Sequence, residues 1–149
     1  MPVICVMESK YIFPIARNKL HIAYLPSAIV VAGITWLSLA RITPMPVEDI
    51  PLLDKWEHAF AYMVLALCLA GDSYRARVST RVIYMVSIVL PVVYGGLIEL
   101  IQPYFPPRTC ELGDWLADAI GTAAGILIFG IFHICVTRRK QTKQASDKQ

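Results

Sequence analysis

Four apolar segments constrain this chain more than any other feature of its sequence. The first spans residues 21 or 22 to 40, and a helix of about 20 residues is long enough to cross a bilayer. Similar segments follow at about 54–70, 82–102 and 113–136. Because 56% of the residues are hydrophobic and only 17% are charged, the chain is too apolar for an ordinary soluble domain. We therefore predict an all-α polytopic membrane protein whose four transmembrane helices form a compact bundle.

The predicted spans divide the chain into three parts. Residues 1–20 form an amino-terminal arm, residues 21–136 form the membrane domain, and residues 137–149 form a basic, polar tail that is expected to fray. Cleavage of a signal peptide after Ala40 is the weaker interpretation of the first span. Its apolar run is longer than the about 7–15 residues that are typical of a signal peptide.

Glycine and proline residues mark the expected interruptions of the helices. Residues 41–53 contain three prolines and favour a turn or loop. Gly71-Asp72-Ser73 is expected to end the second span, and Pro91 is expected to kink the third. Residues 103–108 contain three more prolines and predict a stiff loop before the last span.

The distribution of lysine and arginine predicts the orientation of the bundle. Basic residues concentrate in the arm, in the connection 75–81 and in the tail. Because basic segments stay on the cytoplasmic side, both termini are predicted to be cytoplasmic, and the loops near Pro46 and Pro106 to lie outside. Nucleic-acid binding is not indicated, because the basic run at 138–140 follows an apolar helix and is more simply a membrane-surface anchor.

Polar and ionisable side chains cluster at the outer ends of the predicted spans. In a helix that begins near residue 54, Asp54, His58 and Tyr62 share one face because they recur every four residues. The predicted topology also brings the end of the third span and the start of the fourth to the same side. The resulting polar pocket would contain nine side chains, which are Asp54, Lys55, His58, Tyr62, Glu99, Gln102, Arg108, Asp114 and Asp118.

The order and spacing of these residues resemble the VanZ-like family of small bacterial membrane proteins. The resemblance covers about residues 54–125 and consists of three motifs, which are Asp54-Lys55-x-x-His58-x-x-x-Tyr62, then Glu99-x-x-Gln102, then Arg108 with Asp114 and Gly121-x-x-x-Gly125. The family is named for an accessory protein of teicoplanin resistance, so the resemblance implies a multi-pass protein of the bacterial cytoplasmic (inner) membrane. It implies no particular reaction. One position departs from the family pattern, because Asp118 stands where the family usually has Asn.

Three functions are compatible with this cluster. It could bind or modify an envelope molecule, such as a membrane lipid, a lipid-linked glycan or a glycopeptide antibiotic, with His58, Glu99 and Asp114 as candidate catalytic groups and the other six residues as binding groups. The cluster could instead hold the helices of this bundle together. The protein would then be a structural or assembly partner of envelope enzymes. A divalent cation site of His58, Glu99, Asp114 and Asp118 ranks last, because no short metal motif supports it. We therefore predict no cofactor, and the sequence indicates no oligomeric state.

Some members of the cluster also have purely structural interpretations. Asp54 is a good helix N-cap, and with Lys55 it is more simply read as the beginning of a helix at the interface. Glu99 is expected to need a cationic partner when buried, for which Arg108 or Lys55 is available. Cys110 stands alone in the predicted outer loop and therefore has no intramolecular disulfide partner.

Overall fold

The chain folds into an all-helical bundle. The computed structural model describes residues 22–40, 52–106 and 108–146, and within these ranges all regular structure is helical. In chain order the helices are α1 (Leu25–Leu39), α2 (Leu53–Arg75), α3 (Thr80–Ile101) and α4 (Leu112–Ser146), with a short 3-10 turn at Gln102–Tyr104 after α3. α2 is central, because α1, α3 and α4 all pack against it. The all-α prediction is confirmed, whereas the amino-terminal arm and the loop 41–51 lie outside the described residues.

The closest helix packing joins α2 and α4, and it depends on two glycines of α4. A Cβ atom on Gly121 would lie 1.9 Å from the carbonyl oxygen of Ala59, and one on Gly125 would lie 2.6 Å from that of Met63. Both residue numbers increase together along the interface, so α2 and α4 run parallel. The Gly-x-x-x-Gly spacing permits this approach of two backbones, which no larger residue would allow.

Polar contacts attach α1 to the two helices behind it. The backbone N–H of Ser27, at the start of α1, donates to Oδ2 of Asp72 near the end of α2 over 3.0 Å, and the Ser27 hydroxyl donates to the same oxygen. Asp72 is completely buried and also accepts a hydrogen bond from Arg75. Farther along α1, the hydroxyl oxygens of Thr35 and Tyr94 lie 2.7 Å apart. α1 is therefore antiparallel to α2 and contacts α3 midway.

Apolar side chains fill the interior of the bundle and also cover much of its outside. One internal cluster joins Ile34 to Tyr62, Leu65 and Leu69, and a second joins Ala70, Ile83 and Phe129. Other large apolar side chains point outward from α3 and α4 and are more than half exposed, among them Met85, Leu97, Leu100, Ile120, Leu127 and Ile131. The bundle thus has an apolar exterior along its length.

Two helical segments are long and apolar enough to cross a membrane. They are Thr80–Tyr104 and Leu112–Arg139, which correspond to the third and fourth predicted spans. α1 is apolar but shorter, at 15 residues. α2 has 23 residues, but its ends are polar, with Asp54 and Lys55 at the start and Asp72 near the end. Length and composition alone therefore identify two such helices among the described residues, and not four.

The prediction that Gly71-Asp72-Ser73 ends the second helix is wrong. α2 continues to Arg75, and the chain then turns at Arg77, whose φ of 57° lies in the left-handed region. The backbone N–H groups of Arg77 and Val78 donate to carbonyl oxygens of the last turn at 3.1 Å each, which closes the helix in the way a glycine usually allows. Asp72, in this last part of α2, accepts the hydrogen bonds from Ser27 of α1.

Two further expectations concern the continuity of α3 and α4. Pro91 does not divide α3, which is one helix from Thr80 to Ile101, and the expected kink at Pro91 stays a prediction. The fourth helix does not end near Val136, because α4 extends to Ser146 and the first part of the tail is helical instead of frayed. The side-chain hydroxyls of Thr137 and Thr142 each donate to the carbonyl four residues earlier, so they fit this regular helix.

Replacing Gly121 by alanine is expected to destabilise the bundle. The new methyl group would overlap the Ala59 carbonyl, and we expect a loss of about 3 kcal/mol, the upper range for overpacking. Gly33→Ala is the matched control, because Gly33 lies in α1 with no atom within 4 Å of its Cβ position. The control should leave stability unchanged or raise it by about 0.5–1 kcal/mol. Denaturant unfolding in detergent, followed by circular dichroism, measures both changes, and equal effects of the two substitutions would contradict the close packing.

Candidate functional site

The polar residues that the sequence singles out meet at one end of the bundle. α2 and α4 begin at this end and α3 finishes there, so the three motifs become neighbours. Four of the nine side chains are almost fully buried, namely Tyr62, Glu99, Gln102 and Asp118, and Asp114 is 5% exposed. We call the set of nine residues the polar cluster. Hydrogen bonds and ion pairs between the three helix ends hold the polar cluster together.

His58 and Asp118 form the more deeply buried polar contact between α2 and α4. Nδ1 of His58 lies 2.9 Å from Oδ1 of Asp118, and the Asp118 side chain is only 1% exposed. The other carboxylate oxygen points toward α3, where Gly95 provides the space. A Cβ atom on Gly95 would lie 2.5 Å from Oδ2 of Asp118 and 3.2 Å from the Tyr62 ring. Gly95 therefore allows Asp118 and Tyr62 to lie side by side.

Lys55 forms the outermost ion pairs of the cluster. Its Nζ atom lies 2.8 Å from Oδ1 of Asp114 and 3.2 Å from Oε2 of Glu111. Lys55 is in the first turn of α2, ahead of the apolar part of that helix. The lysine therefore joins the start of α2 to two acids at and before the start of α4.

Glu99 is held by hydrogen-bond donors and not by a cation. The backbone N–H of Glu111 donates to Oε2 of Glu99 over 3.0 Å. With the Gln102 amide oriented to satisfy its neighbours, its nitrogen donates to Oε1 of Glu99 over 3.2 Å and to the Thr109 carbonyl oxygen over 3.3 Å. The predicted pairing of Glu99 with Arg108 or Lys55 is wrong, because Lys55 binds other acids and Arg108 points elsewhere.

Arg108 reaches across the end of the bundle to α1. Its Nη2 atom donates to the carbonyl oxygen of Leu37 over 3.1 Å, in the last turn of α1. A cation placed at the carboxyl end of a helix also interacts favourably with the helix dipole. Arg108 therefore helps to hold α1, and at the same time its side chain forms part of the wall of a cavity.

The interpretation of Asp54 as a helix cap is wrong. α2 begins after Leu52, whose φ of 66° is left-handed, and no side chain caps the first turn. Asp54 instead lies one residue inside the helix, exposed, on the same face as His58. Asp54 therefore faces solvent at the end of the polar cluster and does not act as a side-chain cap.

A cavity opens beside the polar cluster, between α1 and the start of α2. It has a volume of about 110 Å³ and an apolar side formed by Ile34, Leu37 and Ala61. Its polar lining consists of Ser38, Asp54, Glu57, His58, Tyr62, Gln102 and Arg108. Five residues of the polar cluster therefore face one cavity, and the remaining four lie behind or beside it.

The Tyr62 hydroxyl has no hydrogen-bond partner among the described residues. Tyr62 is 1% exposed, and its hydroxyl oxygen is buried. A buried polar group without a partner is uncommon, because desolvating it without compensation costs about 1–3 kcal/mol. Tyr62 also lines the cavity, although its hydroxyl oxygen is itself buried.

In the part of the chain that the structure describes, two groups of three side chains have donor atoms close enough to hold one metal ion. They are Asp54, His58 and Asp114, and His58, Glu99 and Asp118, with the donor atoms of each group within 4.8 Å of one another. Both groups share His58. The structure thus divides the four predicted cation ligands between two overlapping sets.

Three residues of the site were not predicted from the sequence. Glu111 binds Lys55 and supports Glu99 through its backbone, Gly95 gives room to Asp118, and Glu57 lines the cavity. Glu111 precedes Asp114 by three residues, a spacing that would have placed both near one face of the predicted helix start.

Comparison with protein-family models, with curated proteins and with solved structures found no match for this chain. The geometry of the site and the three motifs of the polar cluster are therefore the features of this chain that bear on its function.

Removing the Lys55 charge is expected to destabilise the protein by leaving the nearly buried Asp114 carboxylate unpaired. A carboxylate left in the interior without its partner is strongly unfavourable, and the Asp114 side chain is only 7% exposed. Lys55→Met should therefore lower the melting temperature at neutral pH.

The Lys55 prediction has an internal control in the partner residues. Asp114→Asn in the Lys55→Met background should restore part of the lost stability, whereas Glu111→Gln should restore little because the Glu111 side chain is 53% exposed. Melting curves of the single and double variants in detergent measure this coupling. Independent, additive effects of Lys55→Met and Asp114→Asn would contradict the pairing.

Proposed function

We propose that this chain is an integral membrane protein in which all four helices cross the bilayer. The supporting observation is the exposure of apolar side chains along α3 and α4. In each segment we consider the 18-residue apolar stretch that is long enough to be a span. Only 33% of this stretch in Thr80–Tyr104 is buried within the bundle, and 22% in Leu112–Arg139. A core helix of a soluble protein would be mostly buried, whereas a lipid-facing helix keeps its apolar side chains outward.

The two shorter or more polar helices fit the same arrangement. α1 has 15 residues, or about 22 Å of helix, against a hydrocarbon core of about 30 Å. Local thinning of the bilayer accommodates a helix of this length. α2 is central and its polar ends are paired within the protein, at Asp114 and Asp118 on one side and at Ser27 on the other. The charges of Lys55 and Asp72, which reduce its hydropathy, are therefore paired within the protein.

The orientation places the polar cluster on the outer face. Arg75, Arg77 and Arg81 lie at the opposite end of the bundle, where α2 ends and α3 begins, and Arg138 and Arg139 lie near the end of α4. Under the positive-inside rule this end is cytoplasmic. The VanZ-like resemblance supports the same location, in the cytoplasmic membrane of a bacterium with both termini inside.

Labelling of single cysteines tests the topology. In a variant that retains only Cys110, which is exposed in the loop before α4, an impermeant thiol reagent added to intact cells should react. In a second variant the only cysteine is Ser146→Cys, near the end of α4, and it should react only after the membrane is opened. Reagent added to opened membranes is the control for accessibility. The reverse pattern would contradict the orientation and remove the site from the outer face.

We infer that the cavity binds the polyhydroxylated headgroup of a membrane glycolipid or lipid-linked glycan. The observation that carries this inference is the cavity itself, which combines an apolar wall from α1 with polar groups of the cluster at one end of an apolar bundle. Ligand sites commonly pair apolar walls with a few convergent polar groups. A lipid has the same division, with its chains beside the apolar exterior and its headgroup in the cavity.

The charges of the lining favour hydroxyl groups over phosphate. Phosphate is usually bound by several cationic donors, and bidentate arginines are the strongest of these. Here the lining has one arginine, Arg108, against two carboxylates, Asp54 and Glu57. Hydroxyl groups both donate and accept, so they match carboxylate acceptors and an arginine donor together. A neutral sugar headgroup therefore suits the cavity better than a phosphorylated one.

A structural role is the second candidate function, and a specific observation favours it. Lys55, Asp114, Glu111 and Glu99 form a continuous chain of contacts that joins the start of α2 to the connection between α3 and α4. Such a network would clasp the bundle without any ligand. In that case the protein would act as an assembly partner of envelope enzymes.

Lipid binding in nanodiscs distinguishes the two functions. The wild type, incorporated with a monoglucosyl diacylglycerol among phosphatidylglycerol lipids, should retain the glycolipid preferentially in native mass spectrometry. Glu57→Gln should weaken this preference about tenfold, because a hydrogen bond to a charged acceptor is worth about 1.5 kcal/mol or more. Glu57 is exposed and outside the clasp network, so the fold should persist.

Glu111→Gln is the matched control for the lipid experiment. Glu111 is an exposed acid at the same end of the bundle, but it does not line the cavity. This variant should therefore keep the glycolipid preference. If the wild type shows no preference for the glycolipid over unglycosylated diacylglycerol, the headgroup site is excluded and the clasp remains as the function of the cluster.

A further inference from the structure

The deepest part of the polar cluster has the geometry of a metal centre. His58, Glu99 and Asp118 come from three different helices, and their donor atoms lie within 4.8 Å of one another. We propose that these three residues bind one divalent transition-metal ion, Mn²⁺ or Zn²⁺. This inference rests on the cluster alone and goes beyond the headgroup site, which occupies the adjacent cavity.

The distances between the donor atoms fit one shared ion after a small contraction. Ligands that each lie about 2.1 Å from an ion are at most about 4.2 Å apart, and adjacent ligands of a six-coordinate ion are about 3.0 Å apart. The 2.9 Å between His58 and Asp118 already matches two adjacent ligands. All separations in the group are within 4.8 Å, so the three donor atoms need to move by at most roughly half an ångström to share one ion, which side-chain rotation provides.

The charge of the cluster favours a bound cation. Glu99 is 3% exposed and Asp118 is 1% exposed, so two carboxylates lie in the protein interior. A buried anion is unfavourable unless it is paired. The nearby Lys55 is bound by Asp114 and Glu111, and among the described residues His58 is the one titratable group with a possible positive charge that touches either carboxylate. A divalent ion with a neutral His58 would balance both carboxylates.

A second observation at the same place points to a bound group. The buried Tyr62 hydroxyl has no partner among the described residues, and the Tyr62 ring lies against the same point of α3 as Asp118 Oδ2. Metal ions with three protein ligands complete their coordination with water. A water molecule on the ion would give the Tyr62 hydroxyl the hydrogen-bond partner that the protein does not supply.

The overlapping group of Asp54, His58 and Asp114 is a poorer ion site. Asp54 is exposed, and Asp114 accepts a hydrogen bond from the Lys55 ammonium at 2.8 Å. A lysine cation bound to a ligand carboxylate repels a second cation. The two groups therefore make different predictions for Asp114 variants, and this difference provides the control.

The donor set indicates which ions are suitable. Carboxylate oxygens suit Mg²⁺, Ca²⁺ and Mn²⁺, whereas imidazole nitrogen suits Zn²⁺ and other late transition metals. One imidazole and two carboxylates combine both preferences, which favours Mn²⁺ or Zn²⁺. Existing hydrogen bonds from the Glu111 backbone and from Gln102 hold the Glu99 carboxylate in place, as outer partners of metal ligands commonly do.

Metal binding to the full chain in detergent, with no added glycolipid, tests the proposal. After incubation with Mn²⁺ or Zn²⁺ and gel filtration, the wild type should retain about one ion per chain, measured by mass spectrometry of the metal. Asp118→Asn and Glu99→Gln keep size and hydrogen bonding but remove a ligand charge, and each should reduce retention at least tenfold. Asp114→Asn should retain the ion as the wild type does. Circular dichroism confirms that each variant is folded.

A spectroscopic measurement on the wild type does not depend on the folding of any variant. Spin-echo spectra of bound Mn²⁺ should show modulation from one imidazole nitrogen. Absence of this nitrogen signal, failure of the wild type to retain either ion, or full retention by folded Asp118→Asn would each overturn the proposal. Loss of the ion in Asp114→Asn, with retention in Glu99→Gln, would overturn it in favour of the outer group. None of these results bears on the glycolipid preference, which Glu57→Gln tests separately.

Discussion

The close approach of α2 and α4 is the constraint on which the rest of the site depends. At Gly121 and Gly125 the two backbones touch, because no Cβ atom separates α4 from the carbonyl oxygens of Ala59 and Met63. This contact fixes both the distance and the register of two parallel helices. One turn earlier, the same register brings Asp118 to His58, and the next turn brings Asp114 to Lys55. Without the glycines these side chains would be separated by the width of a larger residue.

Because these polar groups are buried, each of them needs a specific partner. Charges in the interior of a bundle with an apolar exterior have little access to water, so each must be matched by a partner of the protein or by a bound group. Lys55 is matched by two acids, and Arg108 by the end of α1. Among the described residues Glu99 and Asp118 have one titratable partner between them, His58, and this local excess of negative charge distinguishes the cluster from a simple clasp.

The sequence predicted the helices and the convergence of the site better than the partners within it. Helix period and charge asymmetry placed Asp54, His58, Glu99 and Asp118 at one end of a bundle, since these depend on local spacing and on topology. Pairing depends on side-chain reach across interfaces. Arg108 donates to the Leu37 carbonyl and not to Glu99, and α2 continues past Gly71 to Arg75, with Asp72 bonded to Ser27. Neither contact has a signal in local sequence, because each joins residues far apart in the chain.

The capping of α1 has a consequence for the order of events during synthesis. Ser27 donates to a carboxylate 45 residues later in the chain, and no side chain of its own segment caps the start of α1. Because chains are synthesised from the amino terminus, α1 leaves the ribosome well before Asp72 does. Until then its first turn has open N–H groups, which water or lipid headgroups must satisfy. α1 thus becomes a finished helix only when the end of α2 has arrived beside it.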